Sequence, residues 1–293
     1  MYPTEFAYHA PSTLADAVKL LQGGDGEVKV LAGGHSLLPL MKLRFAEPGT
    51  LVDIGRIPEL RGVREEGAVV VIGATTTYFE VLKSPVIARR LPLLLEAAQQ
   101  VGDIQVRARG TVGGSMAHAD PAGDLPAVVL ALDAELVAMG AGGTRTIAAR
   151  DFFVDLLTTA LQPGEILTEV RLPAMDQART GSCYVKHRHP ASGYAVVGVA
   201  AAVRLGEDGT CQEARIGITG AGSRATRATE VERALVGRPL DGATLASATA
   251  NVTQGFDLMS DTYASAEYRA HLTGVLARRA LTAAAARARG GSA

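Results

Sequence analysis

Two short stretches carry the residue types that could do chemistry, "AGGHSLLPLMKLR" from Ala32 to Arg44 and "TVGGSMAHADPAGDLPA" from Thr111 to Ala127. Each follows an aliphatic or β-branched run and places two glycines ahead of a serine, with His35 between in the first. Glycine reaches positive φ at no steric cost, so consecutive N–H groups can converge on one anion, and a nearby hydroxyl adds a donor. Bare backbone also lets a phosphate come close. A pyrophosphate gripped by both stretches would explain two such turns about 80 residues apart. Two tight hairpin or strand-to-helix turns are the alternative that spacing leaves open. Glycine pairs alone decide nothing, since five occur in the chain, but only Gly33-Gly34 and Gly113-Gly114 have these neighbours.

Other candidate sites are weaker. Gly220-Ala221-Gly222-Ser223-Arg224-Ala225 fits the dinucleotide pattern G-x-G-x-x-G/A after a strand-like run. A Rossmann unit then needs a second parallel strand with an acidic residue near its end; "VERALVGRPLDGATLASATA" offers helix and turn instead. His118, Asp120 and Asp124 in "HADPAGD" do not pin a metal geometry, and Asx turns account for both aspartates. His187 and His189 in "KHRHP" read as a solvated loop. The chain has neither a G-x-S-x-G elbow nor a P-loop, so hydrolase and nucleoside-triphosphatase readings have no support.

The elements that must position the glycine stretches are legible in outline. "TLADAVKLLQG" (13–23) has helical spacing, with Ser12 or Thr13 to cap it and Gly23 or Gly24 to end it. "VKVLAGG" and "TLVDIG" read as flanking strands, giving a β–α–β start over residues 1–55. "AVVVIGATTTYFEVL" reads as strand, turn and helix, "LPLLLEAAQQVG" as a helix, "LPAVVLALDAELVA" as a helix running into a strand, and "GEILTEVRLP" as a strand. The punctuated stretch 173–182 marks a boundary, set at 176/177. Beyond it, "YAVVGVAAAVRL" and "QEARIGITGAG" are strands joined by the turn "GEDG", and the rest is mostly helical, ending in a long Ala/Arg-rich helix that packs by its apolar side.

Composition bounds the function. At 293 residues and 47% apolar, the chain can build a large core in two domains. A net charge of −1 gives no broad attraction to nucleic acid or anionic membrane. The N-terminus reads as lacking a secretory leader, and no apolar run reaches membrane-span length. Cys183 and Cys211 read as a reduced pair, and two cysteines are too few for an iron–sulfur cluster, which takes about four thiolates.

Together the two glycine stretches resemble the paired flavin signature of the medium subunit of the molybdenum hydroxylases, the xanthine dehydrogenase and carbon monoxide dehydrogenase family. The resemblance extends over almost the whole chain, through the "F.YH.P.TLADAV.LL" opening, "GEILTEVRLP" and "YVKHRHPASGYAVVGVAAAV". It implies an α+β chain with a PCMH/vanillyl-alcohol-oxidase-type FAD-binding fold. The FAD-binding domain would span 1–176, as a small βαβ part (1–55) and a larger α+β part (56–176). Residues 177–293 would form a C-terminal domain of small antiparallel sheet with helices.

By the same resemblance, Leu31, Ala32, Gly33, Gly34, His35, Ser36, Leu37 and Leu38 form the first pyrophosphate loop, and Thr111, Val112, Gly113, Gly114 and Ser115 the second. Relatives often carry asparagine at the position of Ser115; the serine hydroxyl can still donate, but the second amide contact is lost. Val101 and Leu167 would line the flavin, Asp124 would lie near the ribityl chain, and Lys186 and Tyr194 near the isoalloxazine. Read from residues alone, Asp124 is an N-cap for "LPAVVLAL", Leu167 core, Lys186 solvated and Tyr194 a half-buried strand residue.

The implied function is an electron-transfer subunit with one noncovalent FAD and no catalytic side chain or metal of its own. A small partner would carry two [2Fe–2S] clusters and a large partner the molybdenum cofactor, assembled as a dimer of heterotrimers in the cytoplasm, with or without peripheral attachment to the inner membrane face. A stand-alone flavoprotein reductase or oxidase of the same fold, or a flavin-free scaffold subunit, are the alternatives. The substrate and the electron acceptor are not written in this chain.

Overall fold

The computed structural model describes residues 2–23, 27–175 and 178–290. The chain begins with β1 (Ala7–His9), α1 (Leu14–Gly23), β2 (Val28–Leu31), α2 (Leu37–Lys42) and β3 (Thr50–Asp53). The strands form a parallel sheet in the order β1-β3-β2. Thr13 Oγ1 accepts the Asp16 N–H at 3.2 Å and starts α1; Gly24, the other stop signal, lies outside the described residues. The expected β–α–β opening is present, with β1 and the short α2 added. Leu14, Ala17 and Val18 of α1 pack with Val52, Ile54 and Ile57 into a small core.

Next come β4 (Val63–Glu66), β5 (Val69–Gly73), α3 (Tyr78–Lys83), α4 (Pro85–Arg90), α5 (Pro92–Gln99), α6 (Ile104–Arg109), α7 (Val112–His118) and α8 (Asp124–Ala131). They are followed by β6 (Glu135–Gly140), β7 (Gly143–Ala148), α9 (Ala149–Phe152), the hairpin β8 (Phe153–Asp155) and β9 (Thr158–Thr159), and β10 (Ile166–Pro173). The main sheet here is antiparallel, in the order β4-β5-β10-β6-β7. Four of its helices start on side-chain caps: a capping box of Thr77 and Glu80 for α3, Ser84 for α4, Asp103 for α6 and Thr111 for α7.

A third sheet runs β11 (Thr180–Arg188), β12 (Ala195–Leu205), β13 (Cys211–Thr219) and β14 (Thr226–Arg227), antiparallel throughout. Helices α10 (Thr229–Leu235), α11 (Gly242–Thr249) and α12 (Ala266–Ala288) complete the chain. The expected boundary at 176/177 lies outside the described residues. Because β14 pairs antiparallel with β13, the G-x-G-x-x-A stretch at 220–225 opens no Rossmann unit. Helix α12 buries Leu276, Ala277, Ala280, Leu281 and Ala284 in the core of this last part. Cys183 and Cys211 are separate buried thiols, each pushed up to about 11 by burial.

The third sheet packs on α8 at backbone distance. A Cβ on Gly217 would overlap the Ala127 carbonyl. Around it, Thr219 Oγ1 donates to the Pro121 and Gly123 carbonyls at 2.6 and 2.7 Å, and the Gly220 N–H donates to Pro121 O at 2.6 Å. In the second sheet, Arg145 of β7 grips Glu165, just before β10, through Nε and Nη2 at 2.6 and 2.8 Å.

Gly217→Ala should force α8 off β13 and cost about 1–3 kcal/mol, read as a lower melting temperature in circular dichroism. Arg145→Met should act through pH. The Arg145 guanidinium holds the Glu165 carboxyl below its ordinary value of 4.5. A carboxyl depressed on folding adds stability above that value, and the gain is lost as pH falls through the folded pKa. The melting-temperature gap between wild type and variant should therefore be full at neutral pH and close in acid. A gap that stays constant between pH 7 and pH 3 would contradict this.

Candidate functional site

The two glycine stretches meet. A Cβ on Gly33 would overlap the Arg109 carbonyl oxygen and lie 3.1 Å from Gly110 Cα, so the first loop touches the chain leading into the second. Between them opens a cleft of about 630 Å³, within the size range of small-molecule sites. Its walls are β2 and its following loop, α6 and α7, the start of β10, and the turn between β11 and β12.

In the first loop Gly34 takes φ +77°, which turns the chain toward α2. Among the described residues, no protein acceptor takes the N–H groups of Gly33, Gly34, His35, Ser36 or Leu37. Ser36 precedes α2 without a capping hydrogen bond, so its hydroxyl is also uncommitted. Backbone N–H groups are obligatory donors, and all five residues line the cleft, His35 exposed and the other four partly buried. This run of donors fits an anion.

The second loop works differently from the expected nest. Thr111 to Ser115 opens helix α7, with Thr111 as its cap. The Val112, Gly113 and Gly114 N–H groups donate to Thr76 O, Ala74 O and Thr111 Oγ1 at 2.9, 2.9 and 3.1 Å. Gly113 is bare because a Cβ there would sit 2.7 Å from Ala74 Cα. These glycines therefore serve close packing, which brings Thr111 and Ser115 to the cleft wall. The tyrosine behind them, Tyr78, is buried, and burial pushes its phenol up to about 12 against a hydrogen bond from Ser115.

Leu31, Ala32, Gly33, Gly34, His35, Ser36, Leu37, Val101, Thr111, Gly113, Gly114, Ser115, Asp124, Leu167 and Tyr194 all line the cleft. Leu38, Val112 and Lys186 do not. Leu38 is turned outward on α2, at 39% exposure, and Val112 is buried in the core beneath α7. Lys186 is neither solvated nor in the cleft wall. Its side chain is 1% exposed and donates to both carboxylate oxygens of Asp124 at 2.9 Å and to Gln100 O at 2.9 Å.

Asp124 thus lines the cleft with its side chain 5% exposed, and the ammonium lies behind it. Neither the N-cap nor the Asx-turn reading holds for it: Gly123 is the N-cap of α8, and the Asp124 carboxylate turns inward to Lys186 and to Tyr184 Oη, which donates at 2.6 Å. Burial pushes the Asp124 carboxyl up and the Lys186 ammonium down, while their mutual attraction opposes both shifts. Asp120 does make its Asx turn, accepting the Ala122 N–H at 2.8 Å. His189 accepts the Ala191 and Ser192 N–H groups and so shapes the turn that presents Tyr194.

Sequence reasoning missed Tyr78, Gly110, Asp120, Leu157 and Glu165 as cleft residues. Gly110 carried a signal, since it directly precedes the second stretch, and a Cβ there would lie 2.6 Å from Tyr78 Cε2. The others are ordinary residues whose place only the fold decides.

Comparison with known proteins assigns the family. Residues 4–175 match the FAD binding domain in molybdopterin dehydrogenase, and residues 182–284 match the CO dehydrogenase flavoprotein C-terminal domain. The chain is 42% identical to the carbon monoxide dehydrogenase medium chain of Hydrogenophaga pseudoflava, over 98% of this chain and 99% of that one. It is 37% identical to the 6-hydroxypseudooxynicotine dehydrogenase complex subunit alpha of Paenarthrobacter nicotinovorans, over 99% and 97%. The solved carbon monoxide dehydrogenase from Hydrogenophaga pseudoflava contains a chain that superposes with a TM-score of 0.95 at 43% identity, over 98% of this chain and 99% of that one. A cleft with a bare-amide anion cradle, an α+β frame and this likeness over nearly the full length lead to one assignment: the chain belongs to the family of FAD-binding medium subunits of the molybdenum hydroxylases, oxidoreductase complexes whose molybdenum and iron–sulfur centres reside on partner subunits.

Proposed function

We propose that the cleft holds one FAD noncovalently and that this chain passes electrons from the [2Fe–2S] clusters of a small partner to an external acceptor. The observation that carries the reading is the run of five backbone donors, Gly33 to Leu37, on residues that line the cleft and with no protein acceptor among the described residues. A diphosphate has the charge and the acceptor oxygens to take them. Ser36, Thr111 and Ser115 would add hydroxyls; Leu31 and Ala32 would support the dinucleotide from the wall. Val101, Leu167 and Tyr194 would enclose the flavin end, and Asp124 would set the charge there.

Bound FAD supplies the redox chemistry, and the protein's part is to bind, orient and tune it. The tight Gly33–Gly110 approach fixes the spacing of the two walls. Buried Leu167 and partly buried Val101 keep water from the inner end. Tyr194, 44% exposed, stands at the rim where an acceptor must approach.

The relatives' names mention carbon monoxide in one case and 6-hydroxypseudooxynicotine in the other, at similar full-length coverage. We therefore place substrate choice on the large molybdenum subunit. The assembly would be a dimer of heterotrimers in the cytoplasm; no helix among the described residues is long and apolar enough to cross a membrane.

Gly34→Val adds a branched side chain at positive φ, where a Cβ already lies 2.9 Å from Leu38 Cδ1. It should abolish retention of flavin through gel filtration, while circular dichroism shows the remaining fold intact. A folded variant that keeps a full complement of FAD would refute the cradle. Native mass spectrometry should find the chain with a large and a small partner; a chain that turns over alone would favour the stand-alone flavoprotein.

A further inference from the structure

The cleft carboxylate is held by a residue that the cleft never touches. Tyr184 lies in β11, 2% exposed, and its hydroxyl donates to Asp124 Oδ1 at 2.6 Å across 60 positions of sequence. The space for that hydroxyl is built by the neighbouring strand. Gly198 of β12 pairs with Lys186, and a Cβ on it would overlap Tyr184 Oη and lie 2.9 Å from Thr219 Cγ2. Thr219 in turn clamps Pro121 and Gly123, the backbone immediately ahead of Asp124. Three elements of the third sheet thus converge on the carboxylate of one cleft-lining residue.

We propose that Tyr184 is a positioning residue that, with Lys186, holds Asp124 as an oriented carboxylate and thereby lowers the electron affinity of the flavin beside it. The inference rests on the reading that FAD occupies the cleft. A fixed negative charge opposes the negative charge gained when a flavin is reduced, so the state of Asp124 sets the potential. Lys186 and Arg188 of β11 act on Asp124 as cations, the second at longer range. Tyr78 of α3, and Tyr194 and Asp120 of the flanking turns, are the other titratable groups around it. A donor removed from a buried carboxylate favours its protonated form, by roughly ten- to a hundredfold for a charged acceptor.

The test uses the full chain with and without FAD. In the flavin-free chain, infrared spectroscopy follows the protonated carboxyl band that Asp124→Asn abolishes. In Tyr184→Phe this band should appear about one to two pH units higher than in wild type; the same pH would overturn the role of Tyr184. In the FAD-loaded chain, Asp124→Asn should raise the flavin midpoint potential at neutral pH, and Tyr184→Phe should raise it over the pH range in which its own carboxyl band has appeared and that of the wild type has not. Asp124→Asn should also remove the break that Asp124 gives the potential-versus-pH curve. In the double variant, Tyr184→Phe should add nothing, because its effect runs through Asp124. An equal shift in the presence and absence of Asp124, or no shift in potential, would overturn the proposal. Should Tyr184→Phe prove insoluble, Asp124→Asn decides alone, and a wild-type potential in it overturns the tuning. Wild-type chain that takes up no FAD would instead refute the reading of the cleft, and with it the redox half, while the infrared result stands or falls separately.

Discussion

The site depends on a single close approach, the backbone of Gly33 against the Arg109 carbonyl and Gly110. Interiors are packed without slack, so any side chain at that point would drive the parallel sheet away from α7 and widen the cleft. The contact also explains why the first loop can leave five amides uncommitted. Its position is fixed by packing against a capped helix and by the β2–β3 ladder, so its own donors need not hold it in place. Stability and binding are thus assigned to different atoms of the same few residues.

The second glycine pair illustrates the converse. Its amides are spent inside the protein, on Ala74 and on Thr111; Gly113 is bare so that α7 can touch Ala74, and Gly114 leaves room for the Thr111 hydroxyl that caps the helix. One motif offers donors and the other offers proximity. That asymmetry could not be read from "GGHS" and "GGS", which look alike as strings, because it turns on where neighbouring carbonyls lie.

Much of the frame was legible. The 3.6-residue spacing of α1 and α12, the apolar run of β12 and the Gly-rich turn after it all formed as their patterns imply. Elements with contrary local signals were missed. Helix α7 carries two glycines, α2 carries a proline in its first turn, and β11 mixes polar with apolar residues, so packing and capping outweighed propensity in each. In the site, the glycine stretches were legible by residue type, but the orientation of Lys186 was not. The alternation of β11 offers the missing clue in retrospect: Tyr184, Lys186 and Arg188 share one face, while Cys183 and Val185 pack into the opposite core. Residues so placed serve what lies across that face, here Asp124.

A buried ion pair adds little net stability, since desolvation of both charges offsets their attraction, and well-packed apolar residues often do as well. The Asp124–Lys186 pair is therefore poorly explained as a staple for the two parts of the chain, which already meet through Gly217, Thr219 and Gly220. It also carries provisions a staple would not need: a tyrosine hydroxyl on one oxygen, a glycine that makes room for that hydroxyl, and a backbone carbonyl at Gln100 that accepts a further hydrogen bond from the ammonium. Each fixes where the negative charge sits relative to the cleft. The weight of the third sheet in this chain is then electrostatic as well as structural, because it supplies the donors that hold a carboxylate on a wall it does not itself form.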